Sequence, residues 1–148
     1  MGGISEDTIN KGAHRADAEH TLFDLPNLRG MATGPGYSTA FGGVVEGRRT
    51  QVGLMRKARG TGARPHSHPN EQWNYVLQGH LRVSIEGQPD RIAGPGTLIY
   101  FPPDVIHATV ALPEEDVVFF VVKDTSHGII GRAADGTEAG GHFEPGFD

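Results

Sequence analysis

Residues 66–72 read His66-Ser67-His68-Pro69-Asn70-Glu71-Gln72, and His107 follows in a later apolar segment. Side chains alternate between faces on an extended chain, so His66 and His68 point the same way. Continued alternation places Asn70, Gln72, Asn74 and Val76 on that face and Glu71, Trp73, Tyr75 and Leu77 on the other. The third donor beside the histidines is then Gln72, not its acidic neighbour Glu71. Pro69 and Asn70 are the positions where this alternation can break. Imidazole suits iron, zinc, copper and nickel, so two same-face histidines joined by His107 from another strand describe a metal site. Taken alone, the pair also fits a polar loop.

Composition narrows the chemistry. The chain has 148 residues and no cysteine, which removes disulfides, thiolate zinc sites, iron–sulfur clusters and thiol nucleophiles. This length suits one domain with an ordinary core, burying roughly 70% of the unfolded surface. Net charge is −5 with no basic block, so no nucleic-acid partner is expected. No apolar run approaches the roughly 18 residues of a spanning helix, and no membrane partner is expected. Met1-Gly2 opens like a myristoylation signal, but Glu6 stands where Ser or Thr is wanted. The N-terminus lacks the layout of a secretory signal, so a cytoplasmic location is the expectation.

Glycine (22) and proline (10) cut the chain into short pieces. Runs rich in β-branched and aromatic residues cover 37–46, 50–58, 72–77, 80–86, 97–101, 106–112 and 117–123, separated by turn signals such as Gly94-Pro95-Gly96. Short strands at near-regular spacing predict an all-β sandwich or barrel. The body spans 31–123, preceded by a polar arm (1–30) with a short helical turn over 16–23, and followed by a Gly-rich tail (124–148). The tail is either loose or docked through Ile129, Ile130, Phe143 and Phe147. Val117-Val118-Phe119-Phe120-Val121-Val122 is apolar on both faces, and such a strand is covered on both sides. The arm, the tail or a second subunit can supply the outer cover, and a homodimer is expected.

Gly60, His66-Ser67-His68, Gln72 and Gly79 resemble in spacing the first motif of the cupin superfamily; Gly96, Pro102-Pro103-Asp104 and His107 resemble the second. The resemblance covers about residues 60–111 and implies a cupin-type jelly-roll β-barrel with one divalent transition metal held by His66, His68, Gln72 and His107. Iron is the first expectation, with manganese, nickel or zinc as alternatives. Three departures stand out: Gln72 for the usual Glu, Asp104 for a Gly and Ala111 for an Asn. The first makes all four donors neutral, so the metal should be a stronger Lewis acid, favouring an anionic or enolising substrate.

The function implied is a metal-dependent enzyme acting on a small oxygenated molecule. The reaction class is a dioxygenase or oxidoreductase first, a redox-neutral lyase or isomerase second. A non-catalytic small-molecule-binding cupin is the third reading. Arg56 and Tyr100 are candidate catalytic residues. Arg56 would read a carboxylate or enolate oxygen if Thr50, Val52, Leu54, Arg56 and Ala58 face inward. Tyr37, Tyr100 and Trp73 are possible pocket walls or proton handles, and Arg64 a candidate at the rim. His14, His20, His80, His127 and His142 lack ligand context and read as ordinary residues.

Overall fold

The computed structural model describes residues 8–148, so the Met1-Gly2 and Glu6 reading lies outside the described residues. In chain order the first strands are β1 (His14–Arg15), β2 (Met31–Ala32), β3 (Phe41–Glu46), β4 (Thr50–Lys57), β5 (Thr61–Gly62), β6 (His66–Ser67) and β7 (Gln72–Gln78). They continue with β8 (Leu81–Ile85), β9 (Arg91–Ala93), β10 (Leu98–Phe101), β11 (His107–Ala111), β12 (Val117–Asp124), β13 (Arg132–Ala133) and β14 (His142–Phe143). Each of the β-rich runs contains a strand. The helical turn predicted over 16–23 does not form there. A short 3₁₀ turn instead occupies Leu25–Asn27, where Pro26 presets the backbone of a first turn.

The strands make two seven-stranded sheets. One runs β1-β3-β4-β12-β7-β10, with β2 beside β3. The other runs β13-β6-β11-β5-β14, with β8 and β9 continuing from β11. This is the double-sheet arrangement of a jelly roll. Hydrogen bonding among the described residues does not close the two sheets into one barrel. Val44, Met55, Val76, Phe119 and Val121 of the first sheet meet Leu81, Val83, Ile85 and Ala111 of the second in one core. Strand β12 alternates strictly, with Val117, Phe119, Val121 and Lys123 inward and Val118, Phe120 and Val122 half-buried outside.

Three motif glycines sit where the backbone needs positive φ: Gly60 (72°), Gly79 (77°) and Gly96 (89°). Asp104, standing where the motif has glycine, holds the same left-handed conformation at φ 64°. Asp is among the side chains that tolerate this region.

The tail is docked. β13 pairs with β6, setting Ala133 opposite His66, and β14 pairs with β5. Ile129 is buried in the core, and the Phe147 ring lies under the Arg59 guanidinium. Ile130 and Phe143 remain exposed. Arg64, expected at the rim, ties the tail down. Its guanidinium donates to the Gly140 carbonyl at 2.8 Å, Asp135 at 2.7 Å and the Gly36 carbonyl at 2.9 Å.

Candidate metal centre

The alternation along 66–76 survives the break at Pro69. His66, His68, Asn70, Gln72, Asn74 and Val76 are all buried. Strand β11 delivers His107 directly opposite His66 in an antiparallel pair. Ring centroids lie 4.4 Å apart for His66–His107 and 4.9 Å for His68–His107. One nitrogen of each histidine lies within 4.8 Å of the other two, so the three can hold a metal ion together.

The proton positions follow from the partners. His66 Nδ1 faces the Arg64 carbonyl at 2.8 Å, His68 Nδ1 the Asn70 carbonyl at 2.8 Å and His107 Nδ1 the Val105 carbonyl at 3.0 Å. A carbonyl only accepts, so each Nδ1 carries the proton and each Nε2 presents a lone pair. Such carbonyl partners are the outer contacts that fix a ligating histidine's tautomer and ring orientation. Tyr37 stacks on His66 at 4.1 Å and Phe101 on His107 at 4.3 Å, holding the ring planes.

Burial pushes the His68 imidazole down to about 4 and His107 to about 3, and holds His66 well below its ordinary value, with His107 adding to that effect. The three rings are neutral near pH 7, the form that binds metal. His107 Nε2 is buried with no hydrogen-bond partner. A buried polar atom left so is costly, and a cation would satisfy it.

Gln72 is inside as well. Its Nε2 donates to Asn74 Oδ1 at 2.7 Å, which turns Oε1 toward His68 Nε2 at 2.9 Å. With His68 protonated on Nδ1, this contact sets two acceptors face to face, an arrangement relieved by a shared cation. Glu71 faces out, where its Oε1 accepts from the Tyr100 hydroxyl at 2.8 Å. The residues present therefore fit a divalent metal with four neutral donors.

Neither candidate catalytic residue reaches this centre. Arg56 lies on the outer face, its side chain 62% exposed and paired with Asp116 at 3.1 Å. Tyr100 is exposed on the outer face of β10 and packs against Trp73 at 4.6 Å. Of the three aromatic residues weighed as pocket walls, Tyr37 alone comes to the site. The parity of β4 is opposite to the one on which a pocket role for Arg56 was conditioned. Gln51, Gly53, Met55 and Lys57 face in, while Val52 and Leu54 turn out, where Leu25 and Leu28 of the arm lie against that face. Both faces of β4 carry apolar residues, so its pattern alone did not choose.

This parity of β4 brings in Lys57, and the inward face of β12 brings in Lys123, two residues missed from the sequence. Lys57 and Lys123 line a cavity of about 40 Å³ with His66, Gln72, His107 and Thr109. They are two of the three lysines in the chain. Lys57 Nζ donates to the Thr109 carbonyl and hydroxyl, both at 2.7 Å, and Lys123 Nζ to the Ile129 carbonyl at 2.6 Å. Burial pushes both ammonium groups down to about 7. Their signal in the sequence was the scarcity of lysine, together with two sitting beside otherwise apolar strand faces.

The cupin-domain family profile matches residues 53–123. Among solved structures, a cupin-like protein of Thermotoga maritima is 32% identical, with 53% of this chain and 59% of that chain covered at a TM-score of 0.49. KdgF of Halomonas sp. is 30% identical, over 53% of this chain and 72% of that one, at a TM-score of 0.48. The DMSP lyase DddQ of Ruegeria pomeroyi superposes at a TM-score of 0.56 with 21% identity, over 61% of this chain and 46% of that one. The chain thus spans about half to three quarters of the length of these relatives. Comparison with curated proteins finds no significant match. The profile match, the two motifs with their turn glycines, and the histidine triad lead to one conclusion: the chain belongs to the cupin superfamily.

Proposed function

We propose that the protein is a mononuclear metal-dependent enzyme acting on a small oxygenated substrate, with His66, His68, His107 and Gln72 as ligands. The observation that carries this reading is the convergence of three neutral imidazoles, each locked by a backbone carbonyl, on a point where His107 Nε2 has no other partner. A divalent metal held there supplies Lewis acidity toward a carbonyl or enolate oxygen. Four neutral donors leave its charge uncompensated, which favours an anionic or enolising substrate. The protein's own part is to orient the donors through the Arg64, Asn70 and Val105 carbonyls, in a small cavity walled by Tyr37, Phe101 and Ile129.

Oxygen-dependent cleavage by a dioxygenase, with iron as the metal, is the first reading of the reaction. A redox-neutral lyase or isomerase is the second, and one observation favours it: two buried amines with pKa near 7 are suited to moving a proton. Metal analysis of the purified protein, followed by a screen of β-dicarbonyl and keto-acid substrates with and without oxygen, separates the two. Turnover that persists unchanged without oxygen excludes the dioxygenase. His66→Ala or His107→Ala should remove the metal and the activity while leaving the circular dichroism of the fold intact. Metal retained in both variants would overturn the proposal.

The unit proposed is a homodimer. Supporting it, Trp73, Tyr75, Leu77, Leu98 and Tyr100 lie exposed on the outer face of β7 and β10, beside half-buried Phe120 and Val122 of β12. These side chains adjoin one another on one face, as contiguous apolar patches at protein interaction sites do.

A further inference from the structure

The cavity is unusual for the charge it lacks. Two ammonium-bearing side chains point into it, each 5% exposed or less. Among the described residues neither has a carboxylate within ion-pair distance. Glu46, itself fully buried, is engaged elsewhere: its oxygens accept from the Ile9 and Asn10 backbone amides and the Asn10 side chain. Tyr37, the other titratable wall besides the histidines, is held neutral by burial that pushes its hydroxyl up to about 12. The groups facing the lysines are therefore neutral imidazoles, a phenol, amides and a hydroxyl. A charge buried without a partner is ordinarily met by an ion of opposite sign or given up with its proton, so an anion entering the cavity would hold both amines in their charged form.

The two lysines enter the cavity from opposite ends of the β4–β12 ladder, Lys57 beside Val117 and Lys123 beside Gln51. Lys123 is the cross-strand neighbour of Gln72, both facing inward. Lys57 reaches Thr109, which stands two residues beyond His107 on β11. Lys57 Nζ makes two hydrogen bonds and Lys123 Nζ makes one, so each ammonium keeps at least one N–H to offer. Space is small: about 40 Å³ holds roughly three waters.

We infer that Lys57 and Lys123 form an anion clamp, and that the substrate is a small dianion, a short dicarboxylate or an enolised keto acid, whose charged oxygens take the place of the missing counter-ions. The inference rests on reading the histidine centre as a substrate site. It adds the substrate's charge and size, which that reading left open.

The test uses malonate as the probe dianion and malonamide as its neutral isostere, on the full chain both metal-free and metal-loaded, with metal content measured before and after. Calorimetry should find malonate bound at least tenfold more tightly than malonamide in both forms. Lys57→Gln and Lys123→Gln, which keep a donor but remove the charge, should each lose tenfold or more in malonate affinity at unchanged metal content. Lys11→Gln, on the exposed arm, should change nothing. Because the chain has three lysines, selective 15N labelling gives three ζ signals, and malonate should shift two of them in the wild-type protein. Equal binding of malonate and malonamide, or unmoved lysine signals, would overturn the clamp. Malonate binding only to metal-loaded protein, indifferent to both lysine variants, would also overturn it and leave the metal proposal standing. Lysine-dependent binding by a chain that takes up no metal would keep the clamp and reject the metal.

Discussion

Raising the pH from 7 to 9 is expected to stabilise this protein, although most proteins are most stable between about pH 5 and 8. The cause is the pair of buried lysines. In the unfolded chain a lysine keeps its proton up to about pH 10.4. In the fold, burial lowers both groups to about 7. Between these limits the unfolded state binds more protons than the folded state, so unfolding becomes harder as pH rises. The contribution is complete above the unfolded pKa and is lost as pH falls toward 7, below which both states are protonated. Each lysine gives a slope of up to about 1.4 kcal/mol per pH unit, somewhat less near pH 7 where the folded amine is half protonated. Two pH units then yield roughly 2 kcal/mol per lysine, and roughly 4–5 kcal/mol for the pair. That is a large share of a typical domain stability of about 5–15 kcal/mol. Tyr37, pushed up to about 12, acts in the opposite direction but only above about pH 10. Urea unfolding at pH 7, 8 and 9, with metal content held constant, should show the midpoint rising with little change in m. Lys57→Met should remove about half of the rise and Lys57→Met/Lys123→Met nearly all of it. A midpoint independent of pH over this range, or a slope surviving in the double variant, would refute the reasoning.

Three further outcomes are expected. Gln72→Ala should lower metal affinity tenfold or more, while Glu71→Ala should leave metal content intact, as elemental analysis of the two variants will report. Asp104→Gly should stay within about 1 kcal/mol of wild type in denaturant unfolding, because relief of the left-handed residue is offset by unfolded-state entropy; Asp104→Val, β-branched at φ 64°, should lose roughly 1–2 kcal/mol. Light scattering should give twice the chain mass of 15.8 kDa for the wild type and one chain for Leu98→Glu; a monomeric wild type would reject the homodimer.

The sequence carried the centre well because its logic is local. His66, His68 and Gln72 share one stretch of backbone, and period-2 alternation sorts them from Glu71 without knowledge of the partner strands. The turn residues were legible for the same reason: Gly79 and Gly96 mark positive φ by their chemistry. What could not be read depends on which strand lies beside which. The inward face of β4 is decided by its register with β12, where Lys57 sits opposite Val117 and Gln51 opposite Lys123. Apolar residues on both faces of β4 and β12 leave that choice open to pattern reasoning. A pocket role for Arg56 therefore hangs on a face that the pattern does not select, and Lys57 is the residue that takes the inward place. Tyr100 was misplaced for a related reason: its pairing with Trp73 and Glu71 on the outer face follows from the β7–β10 ladder, which the intervening turns conceal.

The pairing of β13 with β6 has a consequence for how the protein is made. His66 gains a ladder partner, Ala133, that is synthesised 67 residues after it. The buried contact from the Ile129 amide to Asn10 Oδ1 joins points 119 residues apart. A nascent chain that has just completed His107 owns all three imidazoles, yet lacks the segment that braces one of them and the carbonyl that holds Lys123. Such non-local closure is slow to form. The final surroundings of the three imidazoles are thus assembled only once residues 129–133 have been made.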